Sequence, residues 1–114
     1  MAKFIARKLE SVEPVPCPCG ESRRLIRRED GSPASLHVTH IREASRHCHK
    51  KTTEFYYVLS GSGAVEVGGE RAEVQPGTAV LIPKGAPHRG LGDFTTIVFC
   101  VPAFDAADEF LCEE

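Results

Sequence analysis

The sequence predicts an all-β protein, built as a sandwich or a closed barrel of short antiparallel strands. Turn-forming residues recur about every eight residues from Ser22 onward, which is the strand spacing of such folds. The segments between these turns are short and rich in β-branched and aromatic side chains. They do not alternate with helix-length patterns as βα units do. The 114 residues suffice for one hydrophobic core, and therefore for one domain.

Residues 1–21 are predicted to form an irregular N-terminal arm, and residues 22–114 a single barrel domain. The segment 13–20 contains three prolines and a glycine. Proline cannot donate a backbone hydrogen bond, so this segment excludes regular helix and disfavours a central strand. We expect the arm either to lie over the barrel or to pair with a neighbouring subunit.

Seven strands and a short terminal helix are predicted after the arm. Gly68-Gly69 is a strong signal for a two-residue hairpin between two of these strands. The segment 61–63, Gly-Ser-Gly, is expected to end the strand before it, and 78–82 is expected to be a buried strand. The predicted strands cover residues 23–28, 35–42, 55–60, 64–67, 70–74, 78–82 and 94–101, and the predicted helix covers residues 105–111.

Composition excludes several classes of function. The net charge of −2 at pH 7 gives no electrostatic basis for binding nucleic acid or an anionic membrane surface. The longest apolar runs have the length of strands and fall far short of a membrane span. The N-terminal residues lack the apolar core of a secretory signal. Five cysteines are an odd number, which favours reduced thiols over a disulfide framework. We therefore expect a cytoplasmic protein whose partner is a small molecule.

Three histidines and a glutamate are spaced as ligands of a divalent transition metal would be. His47 and His49 are two residues apart, so on an extended strand both imidazoles leave the same face. Glu54 opens the next strand-like segment, and His88 comes from a third. Three imidazoles and one carboxylate that converge inside a closed β structure suit such an ion. Cys48 lies between the two histidines, so alternation directs its thiol away from the metal.

The same residues form two motifs that resemble those of the cupin family. The first motif reads His47-x-His49-x4-Glu54-x6-Gly61, and the second reads Gly77-x5-Pro83-x-Gly85-x2-His88. Two positions depart from the family pattern, because Ile41 and Gly92 stand where the family often has glycine and asparagine. Both positions are structural in the family, so neither departure affects the metal ligands.

The resemblance implies a cupin jelly-roll β-barrel, also called a double-stranded β-helix, that encloses one metal ion. It implies that the ligands of this ion are His47, His49, Glu54 and His88. Three nitrogens and one oxygen, with room for one or two waters, suit Fe(II), Mn(II), Ni(II), Co(II) or Zn(II) alike. Such barrels commonly pair, so the resemblance also implies a homodimer.

The catalytic residues are not identified by these motifs, and Tyr56 and His40 are the candidates. Tyr56 shares the strand face of Glu54 and is expected near the metal, unless a bulge reverses that face. An equally good alternative is that Tyr56 only packs in the hydrophobic core. His37 and His40 are three residues apart, so at most one of them can face the interior. Either could be a general base, or a structural or exposed histidine.

Two further patterns each have two interpretations. Cys17-Pro18-Cys19 could be a redox or metal-binding pair, or two small apolar residues that pack the arm on the barrel. The arginine pairs at 23–24 and 27–28 could hold a carboxylate or phosphate of a substrate. They could also belong to a solvated strand of mixed charge, since acidic residues lie beside them.

The predicted function is that of a metal-dependent cupin enzyme acting on a small polar metabolite. Dioxygenase-type oxidation is ranked first and isomerase or lyase chemistry second, by analogy with the family alone. The alternative is a non-catalytic cupin that binds or senses a small molecule and carries a structural metal. A storage role is a weaker hypothesis, because storage proteins of this fold usually have two such domains and long polar insertions.

Overall fold

Two long antiparallel strands, Thr53–Val67 (β5) and His88–Val101 (β8), organise the sheet. The structure is a computed structural model that describes residues 3–112. β8 pairs with β5 on one edge and with β3 and β4 on the other, and β5 also pairs with β6 and β7. The remaining strands are Val15–Cys17 (β1), Gly20–Ile26 (β2), Ser35–Arg42 (β3), His47–Cys48 (β4), Glu70–Val74 (β6), Ala79–Ile82 (β7) and Phe110–Leu111 (β9). The described strands pair only antiparallel and curl into a half-barrel, which confirms the predicted all-β cupin fold.

The interior of this half-barrel is partly apolar and partly polar. The apolar part is a buried cluster around Ile41, Val65 and Phe94. Alternate residues of β3 face inward, so this strand buries Ser35, His37 and Thr39 together with Ile41. A core that served only stability would not bury so many polar side chains, and their presence indicates a functional site.

β5 continues through the segment at which the sequence predicts its end. Gly61 and Gly63 lie inside β5, which runs to Val67, so the prediction that 61–63 ends a strand is wrong. The reason is the close approach of the paired strands β5 and β8 at this point. Gly61 has a φ of +80°, and a Cβ there would collide with the backbone carbonyl of Asp93. At Gly63 a Cβ would collide with the carbonyl of Leu91, so both glycines serve close approach and not a turn.

Three other local predictions meet different outcomes. The hairpin at Gly68-Gly69 is confirmed, because Val67 pairs with Glu70. The prediction of a buried strand at 78–82 is wrong in its burial: β7 buries only Ile82, because it is an edge strand that pairs with β5 alone. The terminal helix is also wrong, since the chain forms one 3₁₀ turn at Ala106–Asp108 and then β9, which pairs with β4.

The N-terminal arm lies against the barrel and is partly regular. β1 falls within the segment predicted to be irregular, and it is an edge strand that pairs only with β2, as its prolines require. β2 begins at Gly20, two residues before the expected domain boundary. Further out, the guanidinium of Arg7 donates two hydrogen bonds, of 2.7 and 2.8 Å, to the carboxylate of Asp30. This bidentate pair fastens the arm to the segment after β2.

The helical segments between residues 3 and 112 are short 3₁₀ turns. None has the length and apolarity needed to cross a membrane.

Candidate metal centre

The four predicted ligands come together at the polar part of the interior. His47 in β4 and His88 at the start of β8 are direct antiparallel partners, which brings their ring centroids within 4.3 Å. His49 follows β4, and Glu54 is the second residue of β5. All four residues are buried, with at most 5% of the surface of each residue exposed. One potential ligand atom from each lies within 4.8 Å of the others.

Backbone carbonyls fix the orientation of all three imidazoles. Nδ1 of His47 lies 2.9 Å from the carbonyl oxygen of Ser45, and Nδ1 of His88 lies 3.0 Å from that of Ala86. Nδ1 of His49 lies 3.0 Å from the carbonyl oxygen of Asp108. A carbonyl can only accept, so each Nδ1 carries a proton, and Nε2 is the nitrogen that offers a lone pair whenever the ring is neutral. This is the hydrogen bonding that metal-binding histidines show in proteins.

The carboxylate of Glu54 completes the donor set. Its Oε1 lies 2.9 Å from Nε2 of His88 and 3.3 Å from Nε2 of His49. Neighbouring ligands of an ion with bonds of about 2.1 Å are separated by about 3 Å, so these distances fit. Oε1 of Glu54 and Nε2 of His88 are buried without a hydrogen-bond partner of good geometry. Such atoms cost about 1–3 kcal/mol each when unsatisfied, and a bound cation would satisfy both.

The electrostatics of the cluster favour a neutral His47 and an ionised Glu54, whereas His88 is held by its contact with Glu54. Burial alone would lower the pKa of His88, but the carboxylate of Glu54 outweighs burial and raises that pKa. Burial lowers the pKa of His47 to about 4, and its neighbour His88 adds to the effect, so His47 is neutral at pH 7. Burial by itself would raise the pKa of Glu54, but the three imidazoles outweigh it and lower that pKa. The glutamate is therefore ionised beside a neutral imidazole, as ligation of a divalent ion requires.

Asp108 is a positioning residue that the sequence did not reveal. Its carboxylate accepts hydrogen bonds of 3.0 Å from the backbone amides of Lys50 and Lys51. Its backbone carbonyl is the acceptor for His49 Nδ1. Asp108 therefore holds both the loop after His49 and the ring of His49.

Replacing Asp108 with alanine keeps the backbone carbonyl that holds His49 but removes the carboxylate that holds the amides of Lys50 and Lys51. Because this frees the loop that follows His49, the substitution is expected to weaken metal binding by about 10-fold, the lower end of the usual cost of disturbing the support of a ligand. Competition with a chromophoric chelator measures this change. Asp105→Ala is the matched control, because Asp105 caps the same 3₁₀ turn but contacts no ligand loop. Equal affinities of the two variants would contradict the role of Asp108.

The two candidate catalytic residues, Tyr56 and His40, lie on opposite faces of the sheet. Tyr56 is buried, faces inward and lines the same cavity as His47, His49 and Glu54. His40, the second catalytic candidate, faces outward, where its Nε2 lies 2.6 Å from the carboxylate of Asp93. It is His37 that faces inward, because inward positions of β3 alternate from Ser35. His40 therefore has no access to the metal cavity.

The two cysteines of the arm lie on the wall of the metal cavity. The sulfur atoms of Cys17 and Cys19 are 2.8 Å apart, and Cys17 also contacts the hydroxyl of Ser22 at 3.6 Å. The hydrogen bond from Cys19 lowers the pKa of Cys17 to about 6. In turn, the interaction with Cys17 and burial raise the pKa of Cys19. The pair is thus an interacting dithiol, and it lies outside the cluster of four ligand residues.

Alkylation of Cys17 by iodoacetamide is expected to rise through about pH 6, because the thiolate is the nucleophile and a lowered pKa populates it at lower pH. Mass spectrometry of the Cys17 peptide measures the rate at each pH. In Cys19→Ala the profile should move to higher pH, because the hydrogen bond that lowers the pKa is lost. An unchanged profile in that variant would contradict the interaction.

Two cavities lie along this part of the barrel. The inner one, of about 20 Å³, is lined by Tyr56 and by three of the four candidate ligands, His47, His49 and Glu54. The outer one, of about 560 Å³, lies between the arm and β2. Arg24, His37 and Phe104 line both cavities. The arginine pairs at 23–24 and 27–28 have different surroundings. Arg23 donates hydrogen bonds to backbone carbonyls of the arm, whereas Arg24, Arg27 and Arg28 line the outer cavity.

A second acidic residue near the cluster was also missed. Glu109 is half-buried and lines the inner cavity, and its carboxylate lies 3.9 Å from Nε2 of His49. Burial raises its pKa. The sequence placed this residue in a terminal helix, and only the pairing of β9 with β4 brings it to the site.

A curled antiparallel sheet that encloses three histidines and a glutamate is the architecture of a cupin. The profile of the cupin domain family matches residues 34–102, more than half of the chain, and the chain therefore belongs to this family.

The curated proteins to which the chain is similar include L-ectoine synthases. One from Vibrio atlanticus strain LGP32 is 38% identical over 71 residues, covering 60% of this chain and 56% of that protein. Another, from Aliivibrio fischeri strain MJ11, is 35% identical over 86 residues, covering 71% of this chain and 67% of that protein. The chain thus spans little more than half the length of the first of these relatives.

Solved structures similar to this one are cupins as well. A protein from Planctomyces limnophilus is 33% identical, with a TM-score of 0.86 and 97% of both chains covered. Ectoine synthase from P. lautus is 22% identical, with a TM-score of 0.79, covering 96% of this chain and 91% of that one. The nucleoside dehydratase Pac13 is 16% identical, with a TM-score of 0.84, covering 98% and 92%. At these identities the last two show the shared fold alone.

Proposed function

We propose that this protein is a metal-dependent enzyme that performs lyase-type, non-oxidative chemistry on a small polar metabolite. The observation that carries the proposal is the donor set of His47, His49, Glu54 and His88, four buried side chains whose free ligand atoms converge. Glu54 Oε1 and His88 Nε2 face each other at 2.9 Å in the buried interior without a hydrogen bond of good geometry, an arrangement that a cation bound by both would satisfy.

These four residues would hold one divalent ion, either Fe, Mn, Ni, Co or Zn, which as a Lewis acid would polarise an oxygen of the substrate. The chain's own groups around it suit proton transfer. Burial, with a contribution from Arg24, lowers the pKa of His37 to about 4, so this imidazole is neutral at pH 7 and can accept a proton. Burial raises the pKa of Tyr56 well above its usual range, so its hydroxyl stays protonated and can donate a hydrogen bond.

The curated relatives favour lyase chemistry over the oxidation that the sequence analysis ranked first. The L-ectoine synthases are cupin lyases and not dioxygenases. They share residues with this chain at an identity that supports a common chemical class. We therefore rank lyase chemistry first and dioxygenase-type oxidation second.

Turnover with and without oxygen tests this proposal. Metal-loaded protein is incubated with L-ectoine and a panel of hydroxy acids, N-acyl amino acids and keto acids, under argon and under air, and the products are followed by NMR. We expect conversion that is equal in both atmospheres and absent in His88→Ala. Substrate-dependent oxygen consumption would contradict lyase chemistry. Tight binding of a metabolite without turnover would instead support the non-catalytic binding cupin.

We also propose that the chain forms a homodimer through an apolar outer face. Phe55 of β5 is the direct partner of Leu81 in β7 and Phe99 in β8, and all three side chains are exposed. An exposed apolar patch of this kind is typical of an interface.

Light scattering should therefore give a dimer mass, and Leu81→Glu should give a monomer. The control Leu111→Glu, at an exposed leucine of β9, should stay dimeric; a monomeric unmodified protein would contradict the pairing.

A further inference from the structure

The inner cavity is too small to hold a metabolite. Its volume of about 20 Å³ leaves room for an ion and about one water. The outer cavity, at about 560 Å³, has the size of a small-molecule site. Arg24, His37 and Phe104 line both spaces and therefore lie at the boundary between them, which we call the neck. A substrate of the proposed enzyme would therefore lie mainly in the outer cavity and reach the metal past this neck.

Arg24 is the arginine of the outer cavity that makes no ion pair with a described carboxylate, although its charge acts to lower the pKa of Glu109, which lines the inner cavity with it. Arg7 and Arg27 both pair with Asp30, at 2.7 and 3.6 Å, and Arg28 lies 3.5 Å from Asp105. Among residues 3–112, no carboxylate lies within 4 Å of the Arg24 guanidinium. Its Nε is buried and has no hydrogen-bond partner.

The guanidinium of Arg24 is also held in place. Its central carbon lies 4.8 Å from the centre of the Phe104 ring, a cation–π contact that favours this position of the guanidinium. A fixed, planar guanidinium with free donors matches a carboxylate, which it binds through two parallel hydrogen bonds. Glu13 and Glu29 also line the cavity, but both are exposed to solvent.

We infer that the outer cavity binds a small organic carboxylate, with Arg24 as its anchor, and that the reacting end of this molecule lies toward the metal. The inference rests on the proposed function for the direction of the substrate, but not for the anion site itself. One unpaired cation suits a singly charged carboxylate better than a phosphate, which is usually met by several cations. His37 at the neck would then be within reach of the part of the substrate that enters the inner cavity.

Binding of pentanoate and of its uncharged analogue pentanamide tests the inference. Titrations followed by two-dimensional NMR are run on metal-loaded and metal-free protein, because pentanoate could otherwise bind the metal alone. We expect pentanoate to bind in both forms, with shifts of Arg24 and Phe104 signals, and pentanamide to bind much more weakly. Arg24→Gln should weaken pentanoate binding by about 10-fold or more, the effect of losing a charged hydrogen-bond pair.

Two further variants make the test specific. Arg71→Gln, in the exposed hairpin, removes the same charge and should leave pentanoate binding unchanged. Arg24→Lys keeps the charge without the planar donors and should give an intermediate affinity, and it serves as the test if Arg24→Gln does not fold. Equal binding of pentanoate and pentanamide, equal effects of the two glutamine variants, or tighter binding of inorganic phosphate would overturn the inference.

Metal content, measured on every variant, separates this inference from the proposed function. If Arg24→Gln keeps its metal and its pentanoate affinity, the carboxylate site is refuted and the metal enzyme is untouched. If the unmodified protein takes up no metal but binds pentanoate through Arg24, the proposed function fails and the carboxylate site stands.

Discussion

Replacement of His88 by alanine is expected to lower metal affinity by more than about 100-fold and to abolish turnover. His88 is one of four candidate ligands. Loss of a residue that only hydrogen-bonds to a ligand already lowers metal affinity by about 10–100-fold, so loss of a ligand should lower it further. The variant also leaves Glu54 without the imidazole 2.9 Å from its Oε1. Metal content after dialysis and competition with a chelator measure the loss.

His40→Ala is the matched control for this prediction. It removes an imidazole from the same protein, but from the outer face, where His40 contacts Asp93. It should keep full metal content. If the two variants bound metal equally well, His88 would not be a ligand, and the assignment of the donor set would be wrong.

The second large effect is expected for Gly61→Ala, which should destabilise the fold by about 3 kcal/mol or more. An L-residue held at the φ of +80° found here costs about 1–3 kcal/mol. The added Cβ would also collide with the backbone of Asp93 and Phe94, and overpacking of this kind costs about a further 1–3 kcal/mol. Urea unfolding gives the change in the free energy of unfolding.

Gly77→Ala separates the two costs of the Gly61 variant. Gly77 has a φ of +91°, but a Cβ there would have no atom within 4 Å. It should therefore show the conformational cost alone. If both substitutions destabilised the fold equally, the close approach of β8 to β5 would not be the reason why position 61 requires glycine.

The metal ligands could be found from the sequence because their positions follow local rules. Residues that are two apart on a strand lie on the same face, so the spacing of His47 and His49 predicts that their imidazoles lie together. The same alternation predicts that Tyr56 faces the interior with Glu54. The turn motif before His88 indicates that a third segment supplies the last imidazole, although the predicted strand begins only at Phe94 and the observed strand begins at His88. Spacing alone made a metal site plausible, and the resemblance to the cupin family implied the full set of four ligands.

Other features of the site depend on packing between distant segments, which spacing does not show. Alternation allowed one of His37 and His40 to face inward, but only the register of β3 against β8 decides for His37. Asp108 and Glu109 reach the site because β9 pairs with β4. Arg24 differs from its neighbouring arginines only in what lies beside it in the fold. The sequence predicts a strand end at Gly61, since a glycine that allows close approach looks the same in sequence as one that makes a turn.

The most direct test of the central claim is the metal content of protein purified without a metal-affinity tag. We predict about one equivalent of a divalent transition metal per chain, lost in His88→Ala and retained in His40→Ala. Iron would reopen the dioxygenase alternative, whereas zinc, manganese, nickel or cobalt would fit the non-oxidative chemistry proposed here. Protein that contains no metal and cannot be reloaded would contradict the claim that His47, His49, Glu54 and His88 form a working metal site.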